Sequence, residues 1–333
     1  MKNRILICYI LLILFVFTGC FKDPERLPNA PRQNYEKLWE IIDTRYCYLD
    51  YKEIDWDAIY KKYENATVNA KSDNDLFNVF AAMLNELKDG HVNLYSPFNT
   101  SRYWDWYTDY PANFDREVIF SEHYLGDNYL MAGGMCYKKI TPTVGYIYYG
   151  SFSNAVSDAT MAYIFEYFKK CNGIIIDVRN NGGGSLSYSE LLASYFFQEE
   201  TLTGYIAHKT GPGHSDFSEL TEVVTKPHYS LRWDKKVVVL TNRMSYSATN
   251  DFVCRMKSCP TAAIVGDKTG GGGGMPLSSE LPNGWSVRFS ACPMFDTDKQ
   301  HTEWGIDPDY KAKKIEDSPF DQIIMKAVSL ING

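Results

Sequence analysis

The sequence predicts an α/β fold with a largely parallel central sheet, preceded by a small all-helical domain. Three features carry that expectation. GIIIDV (173–178) and KKVVVLT (235–241) are continuous apolar runs, the pattern of strands buried on both faces. From Thr143 onward such runs alternate with helical patterns, as a parallel sheet with crossover helices requires. Before residue 90 the apolar spacing is helical.

Lys2 and Arg4 precede an apolar run from Ile5 to Phe17, too short to span a bilayer comfortably. FTGC follows, with small residues ahead of Cys20. This is the pattern of a lipoprotein signal: residues 1–19 are cleaved and Cys20 takes lipid on its thiol and new amino terminus. An ordinary secretory signal or an uncleaved anchor would share the apolar run. The expected location is the cell envelope, in the periplasm or at the outer membrane, with the bilayer as a partner through Cys20.

Residues 20–90 read as the helical domain. Tyr35, Leu38, Trp39, Ile42 and Tyr46 share one helix face, and Trp56, Ile59, Tyr60 and Tyr63 share a second. SDND (72–75) caps a third helix that turns Leu76, Phe80, Met83, Leu84 and Leu87 inward. Its expected stop is Asp89-Gly90, since glycine fits the left-handed position after a helix. Residues 91–142 form a connecting region with no clean period. Its aromatic stretch Tyr103–Tyr110 either lines a cleft or packs as a lid.

The α/β core occupies residues 143–320. VGYIYYG (144–150) reads as a strand, and Met161, Ile164, Phe165 and Phe168 mark a helix. SYSELLASYFF (187–197) is helical, a further helix starts near Ala248, and TAAIVG (261–266) is a short strand.

The chain has 34 basic and 41 acidic residues, a net charge of −7; loss of Lys2 and Arg4 with the signal makes it −9. Nucleic acid is not an expected partner, because phosphate binding needs a basic face. Six cysteines follow Cys20 without dense or metal-like spacing; Cys254 and Cys259 could bridge locally or stay reduced.

Four stretches could carry chemistry. TNRMSYSATNDF (241–252) places Ser245 and Ser247 where a buried strand hands over to a helix. Free N–H groups there suit a nucleophile whose substrate becomes an oxyanion; ordinary capping uses serine too. DVRNNGGGS (177–185) follows the other buried strand. Its glycines let backbone approach a ligand, but the lysine of a phosphate loop is missing. LKDGHVNLYSP (87–97) offers His91 as a base, or as a structural histidine. HTEWGIDPDY (301–310) offers Glu303, a carboxylate able to orient a histidine or simply a turn residue. His208 and His214 lack the nearby carboxylate that a metal site would favour.

Together, a strand ending DxRxNxGG, a strand followed by SxSA, an upstream DGH and a terminal GIxPD resemble the tail-specific, or C-terminal processing, serine peptidases over about residues 80–315. The resemblance implies a ClpP/crotonase-like ββα-spiral core and a serine-type endopeptidase working through an acyl-enzyme, with a protein or peptide substrate and no cofactor or metal. It places the nucleophile on Ser247 and the oxyanion hole on the N–H groups of Gly183 and Ala248. The lysine base of many members falls on Gly272 here, and Lys268 lies four residues early. The chain is therefore more similar to the tricorn branch, which implies His91 as base and Glu303 as its orienting carboxylate. A serine of that branch is replaced by Gly90. The front domain looks like the helical domain preceding the tricorn core. Only 52 residues separate His91 from Val144, too few for an inserted PDZ domain. A non-catalytic peptide or small-ligand binding protein on the same fold, and an ester hydrolase, are the rival expectations.

Overall fold

A computed structural model describes residues 30–333. The expected signal (1–19) and Cys20 lie outside the described residues.

Helices α1 (Pro31–Arg45), α2 (Trp56–Val68) and α3 (Asp73–Asn85) form the front of the molecule. Asp55 and Ser72 cap α2 and α3, their side chains accepting from the N–H groups of Ala58 and Asp75. α3 ends at Asn85, earlier than the sequence suggests, and the left-handed residue after it is Lys88 (φ 47°), not Gly90. Gly90 answers a need for space instead. A Cβ there would lie 2.8 Å from Trp106 Nε1 and 2.9 Å from the Tyr246 hydroxyl.

These helices do not close a core by themselves. Tyr35, Leu38, Phe80 and Leu84 pack with Trp285, Val287 and Phe289, residues that enter the chain some two hundred positions later. The covering sheet runs in the order β2 (Thr100–Arg102), β1 (Asn93–Tyr95), β12 (Ser286–Phe295), β7 (Thr201–Ile206) and β8 (Thr221–Thr225), with β11 (Gly274–Glu280) also paired to β12.

The second sheet runs β13 (Tyr310–Lys311), β10 (Ala262–Gly266), β9 (Lys236–Thr241), β6 (Gly173–Asp177), β5 (Val144–Tyr149), β4 (Met135–Thr141) and β3 (Leu130–Ala132). Its strands from β13 to β5 are parallel, while β4 and β3 complete an antiparallel edge. α5 (Asp158–Phe168), α6 (Leu186–Ser194) and α7 (Ala248–Lys257) cover one face, burying Ile164, Leu192 and Phe252 against Ile174 and Val239. α8 (Gln322–Asn332) and the short α4 (Arg116–Ile119) cover the other, with Ile324 and Ile119 against Ile175 and Val238. Both faces of β6 and β9 are thus buried, which is why their sequences are unbroken apolar runs. The architecture is the mixed α/β fold with a helical front that the sequence predicts.

Asp177 at the end of β6 pairs with Leu240 near the end of β9. The turns that follow these parallel strands therefore leave the sheet side by side, at the edge where ligands bind in such sheets. The six cysteines of the described residues are unpaired. The Cys254 and Cys259 thiols donate to the carbonyls of Thr203 and Phe196.

Candidate active site

Ser247 stands immediately before α7 with φ 60° and ψ −120°. Positive φ is costly for a residue with a side chain, and surrounding bonds must enforce it. The Ser247 N–H donates to Gly271 O at 2.9 Å, and the Tyr246 N–H donates to Asn181 O at 3.1 Å. Held this way, Ser247 presents its hydroxyl to His91, with Oγ 2.9 Å from Nε2. Ser245 has a different task. It is wholly buried, donates to Val178 O at 2.8 Å and accepts from the Asn242 N–H, tying the two turns together.

His91 is anchored through its backbone, whose N–H donates to Asp89 Oδ1 at 2.8 Å. The ring is 3% exposed and lies against Tyr246, centroids 5.0 Å apart. Burial lowers its pKa to about 4; Asp89 pulls the other way, while Arg288 and Lys52 add to the lowering. The imidazole is therefore neutral at pH 7. Neutral imidazole accepts on one nitrogen only, so accepting the serine proton at Nε2 puts the hydrogen on Nδ1. Nδ1 is buried without a side-chain partner among the described residues, and the Gly274 backbone beside the ring favours its protonated form.

This departs from the sequence expectation for Glu303. Its carboxylate does not hold the imidazole. Oε1 accepts from Lys52 Nζ at 2.7 Å and Oε2 accepts from the Gly273 N–H at 3.1 Å. Lys52 comes from the helical front of the chain and is 3% exposed at its side chain, with Asp89 Oδ2 3.6 Å away. A buried cation attracts the nearest carboxylates more strongly than a neutral ring does. Tyr46 and Ser290 each donate to Asp89 Oδ2 at 2.9 Å. One lysine thus serves two carboxylates, and their titrations separate. Burial pushes Asp89 up, but Lys52, His91 and its hydrogen bonds bring it below the ordinary value. Burial raises Glu303 to about 7, with Lys52 opposing and the Asp89 charge reinforcing.

The glycine turn meets the serine turn directly. A Cβ on Gly183 would lie 2.8 Å from Ser247 Cβ and 2.9 Å from the Ala248 nitrogen. Ala248 opens α7, where N–H groups lack partners within the helix. The Gly183 N–H, expected to be open, instead donates to Asn181 Oδ1 at 3.0 Å. The same oxygen accepts from Thr249 Oγ1 at 2.7 Å, so Asn181 pins the glycine turn to α7. Asp177 and Arg179 of the same motif are wholly buried and paired with each other and with Asp321, a structural role.

Neither lysine position considered from the sequence places an amine at Ser247 among the described residues. Gly272 has φ 73°, and a Cβ there would lie 2.5 Å from the Tyr246 ring. Lys268 pairs with Asp307 at 3.7 Å. Trp106 stacks on Tyr246 with centroids 4.2 Å apart, and Tyr103, Trp104, Trp106 and Tyr107 border a cavity of about 470 Å³ that His91 and Ser247 also line. Part of the aromatic stretch thus lines the cleft.

A family model for peptidase family S41 matches residues 143–312, and one for the tricorn protease C1 domain matches residues 28–85. The chain belongs to peptidase family S41. Among its relatives is the carboxyl-terminal-processing protease of Synechocystis, 29% identical over 170 residues, which are 50% of this chain and 37% of that protein. The chain spans about a third of the length of the curated relatives it matches. A candidate peptidase from Parabacteroides merdae has a crystal structure with 49% identity and TM-score 0.86, covering 92% of this chain and 98% of that one. The photosystem II D1 C-terminal processing protease, at 14% identity, TM-score 0.52 and coverage of 86% and 94%, shares the fold.

Sequence reasoning missed Lys52. In YLDYKEID it is one lysine among acids, the composition of an exposed turn. Asp89 was in view within DGH but carried no signal of its own.

Proposed function

We propose that this S41 member is a serine endopeptidase acting on protein or peptide substrates through an acyl-enzyme. The observation that carries the reading is the 2.9 Å contact of His91 Nε2 with the hydroxyl of a serine held at positive φ. Ser247 Oγ attacks the scissile carbonyl carbon while His91 Nε2 takes its proton. The imidazolium then protonates the leaving amine. Water attacks the acyl-enzyme, again losing its proton to His91, and Ser247 is released. The Ala248 N–H at the start of α7 faces the developing oxyanion, and the Gly183 N–H joins it by turning from Asn181. Burial opposes the imidazolium, and the Asp89 carboxylate offsets that cost. Glu303 is a positioning residue here, acting through Lys52 and Asp89.

The test is a proteome-derived peptide library incubated with wild type, Ser247→Ala and His91→Ala, new termini being read by mass spectrometry. Cleavage lost by at least about 10⁴-fold in both variants is the expected outcome, since nucleophile and base act as a unit. Cleavage surviving Ser247→Ala would sink the assignment. No cleavage by wild type would favour the binding-protein reading, for which the engaged Gly183 N–H speaks.

We further propose that the enzyme is exported and lipid-anchored through Cys20, on the strength of the apolar run and the FTGC stretch. Cys20→Ser should release it from the membrane fraction; retention of that variant would refute the anchor.

A further inference from the structure

The wall of the cleft beside His91 carries two arginines that no carboxylate of the described residues neutralises. Asn93 on β1 is paired with Arg102 on β2 and with Arg288 on β12. Directly opposed residues in antiparallel strands project to the same face. The alternate face carries Leu94, Val287 and Phe289 into the helical core. Arg102, Asn93 and Arg288 therefore form one row across three strands, turned toward the cleft. All three line the cavity that holds His91 and Ser247. Arg288 also borders a second cavity of about 230 Å³ that adjoins Ser247.

The row concentrates positive charge beside the reactive residues of an acidic chain. The chain carries a net charge of −7. The buried cations each have a carboxylate: Lys52 has Asp89 and Glu303, Arg179 has Asp177, and Arg255 has Asp251; Arg288 is half-buried and Arg102 is exposed at the mouth of the cleft. Neither Arg102 nor Arg288 forms an ion pair among the described residues. The Arg288 Nη1 donates to Asn93 Oδ1 at 3.4 Å, and the Arg102 guanidinium lies over the Trp104 ring. No aspartate or glutamate lines the larger cavity. Asp105 and Asp109 face a neighbouring one, where Lys88 and Arg243 accompany them. Two cations flanking one asparagine repel each other, and that cost is recovered when an anion lies between them.

We infer that the Arg102–Asn93–Arg288 row is a subsite for a carboxylate of the bound peptide, supplied by an acidic side chain or by a free C-terminus. The inference rests on the peptidase reading of the same cleft. Guanidinium groups bind a carboxylate through paired, charge-assisted hydrogen bonds, and the Asn93 amide sits between them to fix register. Occupancy has a second effect. Arg288 is one of the charges that disfavour the imidazolium on His91. A carboxylate docked on Arg288 screens that charge, so a correct substrate makes His91 the better base.

The test uses matched quenched peptides. One arm exchanges glutamate for glutamine at successive positions around the cleaved bond. The other exchanges a free C-terminal acid for its amide. The readout is the ratio of kcat/KM between members of a pair, for wild type, Arg288→Gln, Arg102→Gln and Arg288→Lys. Wild type should favour the carboxylate member by at least about tenfold, the scale of a charge-assisted hydrogen bond. The ratio should collapse toward one in Arg288→Gln and recover in part in Arg288→Lys. The arm that shows the preference identifies the source of the carboxylate. A wild-type ratio near one in both arms, or a ratio unchanged by Arg288→Gln, overturns the subsite while leaving the peptidase intact. Anisotropy titrations of the same peptides on Ser247→Ala separate the two ideas. Arg288-dependent binding of carboxylate peptides without wild-type cleavage upholds the subsite and removes the peptidase. Neither binding nor cleavage removes both.

Discussion

His91 and Ser247 meet at the wall of a cleft and carry no charge at rest. Lys52, Asp89 and Glu303 lie beside them, almost wholly sealed from solvent, with Lys52 and Asp89 charged and Glu303 titrating near 7. The first pair is brought together by two turns at the end of the fold's elements. The second group joins the helical front to the strand region near the C-terminus. The difference separates two ways of losing activity. Removing a member of the pair removes chemistry and leaves the fold. Removing a member of the ionic group leaves an uncompensated charge in the interior, so the fold itself weakens and the histidine loses its frame.

The largest effect on stability should come from Lys52→Met. Two carboxylates then face each other without a cation, at a cost of about 3–5 kcal/mol in denaturant unfolding. Glu303→Gln added to Lys52→Met should recover most of that loss. Wild-type stability in Lys52→Met would mean that the ionic group is not the support described.

pH sharpens the contrast. Glu303 is raised from 4.5 to about 7, so its contribution to stability is full below pH 4.5 and is lost as pH rises through about 7. His91 is lowered from 6.5 to about 4, so its contribution is full above pH 6.5 and is lost as pH falls through about 4. The two slopes oppose each other between these limits. Glu303→Gln leaves the histidine's slope alone. The stability of Glu303→Gln relative to wild type should therefore climb with pH between about 4.5 and 7, by up to about 3 kcal/mol. Parallel unfolding curves at both ends of that range would contradict the raised Glu303 value.

For activity, the acid limb of kcat/KM reports the free enzyme's base. It should lie near pH 4, well below the 6.5 of an ordinary histidine. Asp89→Asn removes the charge that favours the imidazolium and should move the limb lower still. A limb near 6.5 would mean that His91 is more hydrated than its burial implies.

The smallest effect concerns backbone strain. Ser247→Gly relieves the positive φ that Ser247→Ala retains. Glycine should be the more stable of these two variants, by about 1 kcal/mol in thermal unfolding. Equal stability would show that the turn imposes no strain at this position.

Much of this was legible in the chain. GIIIDV and KKVVVLT announced strands buried on both faces, because a two-sided core tolerates no polar alternation. Ser247 and His91 were found through motifs that resemble a family, since no spacing rule joins residues 156 apart. Glycine spoke ambiguously. The sequence makes Gly90 a helix stop, yet it is small because Trp106 and Tyr246 occupy the space beside it. The resemblance makes Gly183 an oxyanion-hole donor, yet Asn181 engages its N–H.

The sequence by itself determined the helical front, the buried strands β5, β6, β9 and β10 with the helices between them, and the strand-to-helix turn bearing Ser247. These follow from local periodicity, turn chemistry and short motifs, which act over a few residues. Only the tertiary structure decided that Lys52 rather than His91 takes the Glu303 carboxylate, and that Arg102 and Arg288 flank Asn93 without a counterion among the described residues. Charge pairing depends on distance and burial in space. Both are set by how β1, β12 and the helical front pack together, and neither is written in the spacing of residues along the chain.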